Sequence, residues 1–291
     1  MKSLSIVGCG NVGRTFLRLW TERGIVEVRQ VLDRSVERAA EAVAFIGAGE
    51  VAGSFDELTP ADFLMIATPD DAIADCSARL ADALGDGLRT CVVFHCSGCL
   101  AASDVLADVA ARGAATGSMH PIKSFANPEK DVGGLAGTYC TVEGSETATR
   151  ELKTLLDALG ARVLDVSPES KIIYHAAAVF ACNYVTALME VSLRCFEKAG
   201  ISRETALQVL QPIVDGTVRN VFALGPAQAL TGPIARGDAG VIRAHHEALA
   251  EWNGEVADLY KQLGLVALEL SRQQGNATPD SLREIAEILR A

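Results

Sequence analysis

The chain has no excess of positive charge. Its 291 residues carry 26 Lys and Arg against 37 Asp and Glu, a formal net charge of −11. Binding to a phosphate backbone relies on a basic face, so no nucleic-acid partner is expected. By this reading, no stretch approaches the roughly 18 apolar residues of a membrane span, and Met1-Lys2 leads directly into a strand without a signal peptide. A cytoplasmic location without a membrane partner is the expectation. No repeat or low-complexity linker is visible, and a composition of 49% hydrophobic and 22% charged residues excludes a disordered chain. Fourth ligands are lacking too: Cys91, Cys96 and Cys99 have the C-x4-C-x2-C spacing of plant-type iron–sulfur proteins, but no suitably placed cysteine follows before Cys140. Cys91 also opens an apolar strand, whereas cluster ligands come from loops. The eight cysteines are expected to be reduced thiols, with no metal bound.

What is present begins at the amino end. An apolar strand, Leu4-Ser5-Ile6-Val7, runs into Gly8-Cys9-Gly10-Asn11-Val12-Gly13. In a GxGxxG pattern the first glycine makes a tight turn, the second lets a pyrophosphate approach bare backbone, and the third lets helix and strand pack closely. An amphipathic helix from Val12 to Arg23 follows, whose amino end favours negative charge. A second apolar strand, Val26 to Leu32, ends on Asp33-Arg34-Ser35, with Asp33 twenty positions past Gly13. Strand, glycines, helix and acid together predict a dinucleotide site.

Further along, helix Val36 to Ile46, a short strand at Glu50-Val51-Ala52 and the apolar run Phe63 to Ala67 continue the alternation. That run ends in Thr68-Pro69-Asp70-Asp71. Strand ends of a doubly wound sheet face the ligand crevice, which puts Ala67, Thr68 and Pro69 near the cofactor; alternatively, the Pro and acids simply start the next helix, Ala72 to Leu84. Strand Cys91 to Phe94 ends in His95-Cys96-Ser97-Gly98, and Ser97 joins the expected cofactor contacts. After a helix from Ser103 to Arg112, a strand around Ala114 to Met119 ends in His120-Pro121. Two histidines at successive strand ends suggest that at least one is functional. Strands Thr138 to Val142 and Ala161 to Val166, separated by helix Glu146 to Leu159, complete an α/β Rossmann domain with a doubly wound, mainly parallel sheet over residues 1–167.

Residues 168–291 read as an all-α carboxy-terminal domain for substrate binding and dimerisation. Its helices are expected at Ser170 to Ala199, Arg203 to Leu210, Thr217 to Leu224, Ala239 to Ala250, Trp252 to Gln274 and Asp280 to Leu289. At the start of the long helix, Lys171 and His175 are four apart and share a face. Asn183 lies about 18 Å further along the axis and cannot act on the same atom. Lys171 is either chemical or a solvated first-turn lysine. The loop Leu230-Thr231-Gly232-Pro233-Ile234-Ala235-Arg236-Gly237-Asp238 is either a substrate loop or a turn in which Asp238 caps the next helix.

These motifs together resemble the Rossmann-like NADP oxidoreductases that carry a carboxy-terminal domain of unknown function. These proteins are distant relatives of ketopantoate reductase, pyrroline-carboxylate reductase and 6-phosphogluconate dehydrogenase. The resemblance covers essentially the whole chain. It implies that Lys171 is a general acid or base, although the asparagine usual four residues later is His175 here. His120-Pro121 is similar to the His-Pro of prephenate dehydrogenases. The expected activity is hydride transfer between a nicotinamide and a small carbonyl, imine or hydroxy compound in an inter-domain cleft. Lys171 would be the proton donor, with His175 or His120 assisting, and Arg236 and Thr231 would hold the substrate. NADP is favoured over NAD through Arg34 and Ser35 if Asp33 turns away, and the apolar helices suggest a homodimer. A non-catalytic dinucleotide sensor and a deazaflavin hydride partner remain alternatives.

Overall fold

The computed structural model describes all residues except Ala126 and Gly134. Contacts divide the chain into two compact units, Met1–Tyr184 and Val185–Ala291.

The first unit is built on an eight-stranded sheet in the order β3-β2-β1-β4-β5-β6-β7-β8. In chain order its elements are β1 (Lys2–Val7), α1 (Asn11–Glu22), β2 (Val26–Leu32), α2 (Val36–Ile46), β3 (Glu50–Ala52), β4 (Phe63–Ile66), α3 (Ile73–Leu84) and β5 (Val92–His95). Two short helices, α4 (Ala102–Val105) and α5 (Ala107–Ala111), replace the single helix expected there. Then come β6 (Ala115–Pro121), α6 (Pro128–Asp131), β7 (Tyr139–Gly144), α7 (Glu146–Asp157), β8 (Arg162–Asp165) and α8 (Lys171–Ala181). Every pairing is parallel except β6 with β7.

Alternation within the strands gives the sheet two faces. On one, Leu4, Ile6, Phe63, Met65, Phe94, Met119, Cys140 and Val142 join a core with Phe16 and Trp20 of α1 and Leu152 and Leu156 of α7. The Trp20 indole N–H donates to the Leu155 carbonyl at 3.1 Å, tying those helices together. On the other, Val7, Leu64, Ile66 and Val93 pack with Ile73 and Leu80 of α3. At β6 and β7 this second face turns polar: Ser118, Thr141 and Glu143 are buried there. Buried polar groups need partners, and those partners form the site described below.

The second unit contains the rest of α9 (Asn183–Lys198), then α10 (Arg203–Leu224), α11 (Pro226–Ala229), α12 (Pro233–Arg236), α13 (Ala239–Trp252), α14 (Gly254–Gln274) and α15 (Pro279–Arg290). Its largest core joins Ile234, Ile242, Leu268, Ile285 and Leu289.

Several expectations need correction. The single helix from Ser170 to Ala199 is two helices, broken at Cys182, whose N–H still reaches the Ala178 carbonyl. The two helices expected between Arg203 and Leu224 are one, running through Pro212. The 167/168 domain boundary precedes the observed division because Lys171 and Tyr174 bond α8 to the sheet. Finally, Pro168–Lys198 is long and apolar enough to span a membrane by length and composition, its most apolar 18 residues having a mean hydropathy of 1.5. Lys171, His175 and Asn183 interrupt the run, so no unbroken apolar stretch marks it in the sequence.

Gly8 is held at φ +88, and a side chain there would begin 2.7 Å from Thr68 Cγ2 and 2.8 Å from the Thr68 backbone nitrogen. Gly8→Ala should therefore lower unfolding stability by about 1–3 kcal/mol. Gly10→Ala, whose nearest neighbour would be the Ala67 oxygen at 3.8 Å, should cost much less. Urea denaturation of both variants checks the order.

Candidate active site

The glycine-rich turn is fixed from beneath. The Gly8 N–H donates to the Leu32 carbonyl at 2.8 Å and the Ala67 N–H to the Val7 carbonyl at 2.8 Å. Asp33 Oδ2 accepts the Cys9 N–H at 2.8 Å. Its other oxygen accepts the Arg34 N–H at 2.8 Å and lies 3.4 Å from Arg38 Nε. The carboxylate thus braces the turn, and its side chain is only 6% exposed. Arg34 is exposed. Ser35 caps α2, accepting the Arg38 N–H while its hydroxyl donates to Glu37.

The amino end of α1 is unlike a closed helix start. Its cap is Gly10, which provides no side-chain hydrogen bond, and its first turn has no acid. The position a Gly10 side chain would occupy is open except for the Ala67 oxygen at 3.8 Å, while one at Gly13 would strike Ile6 Cδ1 at 2.7 Å and Ala67 Cβ at 3.1 Å. Bare amides, open space and tight helix-on-strand packing are what a pyrophosphate cradle requires, so these residues fit a dinucleotide. Asn11 Nδ2 donates to the Phe125 carbonyl at 2.9 Å, Val12 packs against the core, and Pro69 precedes a single turn of 3-10 helix.

The chemistry-bearing side chains gather at the carboxyl ends of β4, β5 and β6. Ser97 Oγ donates to Asp70 Oδ2 at 2.9 Å, and the Cys99 thiol reaches the same oxygen at 3.1 Å. The Ser97 N–H donates to His95 Nδ1 at 3.1 Å, leaving His95 Nε2 buried with no hydrogen-bond partner among the described residues. Gly98 separates these groups from two histidines: a side chain on it would meet His175 Cδ2 at 2.5 Å and His120 Nε2 at 2.8 Å. The His120 and His175 rings lie 5.7 Å apart, and His120 Nδ1 is 2.8 Å from the Tyr174 hydroxyl.

Beneath this cluster lies a buried ion pair. His95, Ser118 and Glu143 are aligned across β5, β6 and β7 by register. Glu143 Oε1 accepts the Ala102 N–H at 2.9 Å, the Ser118 hydroxyl at 2.6 Å and the Lys171 ammonium at 2.9 Å, and Lys171 also donates to Ser118 Oγ. Lys171 is 0% exposed and Glu143 4%. Burial opposes the Glu143 charge, but the Ser118 and Lys171 hydrogen bonds outweigh it and hold the carboxyl below its ordinary range. Burial lowers the Lys171 pKa, with Glu143 opposing.

The site residues expected from sequence thus separate into two groups. Lys171 is not a solvated first-turn residue; it is buried, with its ammonium paired to Glu143. His120 and His175 come together, joined by Tyr174, which sequence reasoning missed although it lies one turn past Lys171 on the same helix. Glu143 was also missed because the strand was read as ending at Val142. In the other unit, Arg236 directs its guanidinium at its neighbour Asp238, with Nε at 2.9 Å and Nη2 at 2.8 Å, and Thr231 is exposed. The three cysteines with iron–sulfur spacing have separate surroundings: the Cys91 thiol donates to the Gly87 carbonyl, burial pushes Cys96 up to about 12, and Cys99 faces Asp70.

Comparison with known proteins bears on the fold. Over 94% of the chain, the structure superimposes on 97% of a Bacteroides fragilis protein provisionally named an NADP oxidoreductase, with TM-score 0.74 and 23% identity. A Thermotoga maritima protein is matched over 94% of this chain and 99% of its own, with TM-score 0.73 and 25% identity. The fold shared with these proteins is the mainly parallel Rossmann-type sheet followed by helices. An imine reductase variant from Myxococcus stipitatus in complex with NAD+ is similar over 98% of this chain and 99% of its own, with TM-score 0.63 and 17% identity. Residues 138–266 match a family described as a domain of unknown function, DUF2520. No curated protein matches the chain in sequence.

Two measurements follow. Lys171→Met strands the Glu143 carboxylate in the interior, which should cost about 3–5 kcal/mol, whereas Lys171→Met with Glu143→Leu should recover most of it. Guanidinium denaturation would decide; a cost under about 1 kcal/mol would show that the pair is not buried as described. The second concerns acid. Burial, with Lys171 close by, lowers His95 to about 4; burial, then His175 and Lys171, lowers His120 to about 4. Both rings are neutral in the fold, and the unfolded chain binds more protons between about pH 6.5 and 4. Stability should be complete above that window and fall as pH drops through it, and His95→Asn should flatten the slope of unfolding midpoint against pH.

Proposed function

We propose that the protein is an NAD(P)-dependent oxidoreductase acting on a small carbonyl, imine or hydroxy compound. The observation that carries this reading is the uncapped, glycine-lined amino end of α1 on the same sheet edge as the His120–Tyr174–His175 cluster. Gly8, Gly10, Asn11, Val12 and Gly13 would hold the pyrophosphate, and Ala67, Thr68, Pro69 and Ser97 would flank the rest of the dinucleotide. When bound, the nicotinamide supplies or accepts the hydride. The protein's part is to orient substrate and move one proton.

His120 is the residue assigned to that proton. Its ring is held at the strand end beside Gly98, whereas Lys171 lies beneath with its ammonium paired. Imidazole catalysis of this type contributes about 10²- to 10⁴-fold, so His120→Asn should lower kcat by that order with NADPH affinity nearly unchanged. The orientation of Asp33 favours NADP: the carboxylate that would repel a 2′-phosphate is occupied by Cys9, Arg34 and Arg38, and the exposed Arg34 side chain can reach outward. Fluorescence titration should find NADPH bound more tightly than NADH, with the preference reduced in Arg34→Ala. Tighter NADH binding overturns the assignment. A panel of 2-oxo acids and cyclic imines tests the chemistry, and tight NADPH binding without turnover on any of them favours the sensor reading.

The second unit's role is proposed to be dimerisation. Phe222 is 87% exposed, and Leu207, Ile213 and Val266 are also exposed. That much apolar surface on helices marks a contact face, and a second copy of the chain covers it without requiring a membrane. A monomeric mass by light scattering at micromolar concentration refutes the dimer.

A further inference from the structure

We propose that Tyr174 is a positioning residue for His120: its hydroxyl donates to Nδ1, holds the imidazole as the Nε2–H tautomer, and thereby places the ring's transferable proton beside Gly98. The inference rests on the proposed oxidoreductase reading for its catalytic meaning, but its geometric content stands apart.

The placement begins at the buried ion pair. Ser118 and His120 are two apart on β6 and share a face, a step of about 6.6 Å along the strand. Lys171 and Tyr174 are three apart on α8, about 4.5 Å along its axis. Because Ser118 and Glu143 hold Lys171, the helix is set in depth and rotation, and its next turn delivers Tyr174 to His120. The contact is specific: Nδ1 and hydroxyl are 2.8 Å apart, and the rings meet edge-on at 85° with centroids 5.7 Å apart.

The direction assigned to that hydrogen bond is supported by the phenol's other partner: a side-chain hydrogen bond with Thr141, which works against the effect of burial on the Tyr174 pKa, occupies the acceptor side of the hydroxyl. Burial raises the Tyr174 pKa above its ordinary value, so the phenol keeps its proton. The His120 ring is neutral over the working range; Tyr174, His175 and Lys171 of α8 and Asp70 after β4 are the titratable groups facing it. A neutral imidazole has one donor and one acceptor nitrogen. With the phenol donating to Nδ1, the remaining N–H is Nε2, the atom 2.8 Å from where a Gly98 side chain would start. Glycine at 98 is then a requirement of access, since its φ lies outside the left-handed region and its backbone would accept other residues. In the reductive direction the Nε2 proton passes to the substrate oxygen or nitrogen as the hydride reaches carbon. Water then returns a proton to Nε2, so that the phenol keeps its own and Nδ1 stays the acceptor.

Long-range ¹H–¹⁵N correlation spectra of the full chain labelled with ¹⁵N-histidine test the tautomer without any substrate, the His120 signals being assigned by their loss in His120→Gln. The expected result is Nε2–H at pH 7 with a titration midpoint near 4. In Tyr174→Phe the ring should show mixed tautomers, with the midpoint raised by about half a pH unit or more. A wild-type Nδ1–H tautomer overturns the proposal even if the variant fails to fold, as does an unchanged tautomer and midpoint in a folded Tyr174→Phe. NADPH titration of the same samples separates the two readings: absence of binding defeats the oxidoreductase assignment and leaves the tautomer result intact.

Discussion

One carboxylate oxygen organises the chemical half of this protein. Glu143 Oε1 collects a backbone N–H from α4, a hydroxyl from β6 and the ammonium of α8, all out of contact with water. Isolated, such a carboxylate would be prohibitively costly in the interior; with these donors it becomes a fixed point joining three elements. A buried ion pair of this kind specifies arrangement more than it stabilises. What it specifies is where α8 starts and how it is turned, hence where Tyr174 and His175 lie.

The polar row of His95, Ser118 and Glu143 explains why this sheet differs on its two faces. Parallel strands buried on both sides are usually apolar throughout, as β1 and β4 largely are. In β6 and β7, Met119, Cys140 and Val142 face the α7 side, while Ser118, His120, Thr141 and Glu143 face the other. The antiparallel reversal of β7 makes this possible, because it opposes Glu143 to Ser118 and Thr141 to His120. The same burial that drives the two histidines neutral makes the fold sensitive to acid.

The dinucleotide end works differently. There the structure relies on what is left out: side chains at Gly8, Gly10 and Gly13, a capping side chain on α1 and an acid in its first turn. Asp33, the one charge in the motif, is turned to bracing the loop through the Cys9 N–H. An acid in this position can thus serve the loop's geometry while Arg34 faces outward.

The amino-terminal motif was legible because local spacing encodes it: glycines at 8, 10 and 13, an amphipathic helix and an acid at a strand end need no distant partner to be recognised. The alternation of apolar strands with helices likewise determined the sheet, since period and length are local properties. The break at Cys182 and the continuity of α10 through Pro212 were not legible, because packing overrides propensity at single residues. Nor was the fate of Lys171. From sequence it was a lysine one turn before a histidine, equally suited to water or to catalysis. Only the tertiary structure brings Glu143 to it from twenty-eight residues earlier in the chain, and a buried ammonium with a carboxylate at 2.9 Å has its charge already matched. The sequence determined which chemical groups this protein has; the pairing of β6 with β7 and the docking of α8 decided which were neutralised in the interior and which were left to act.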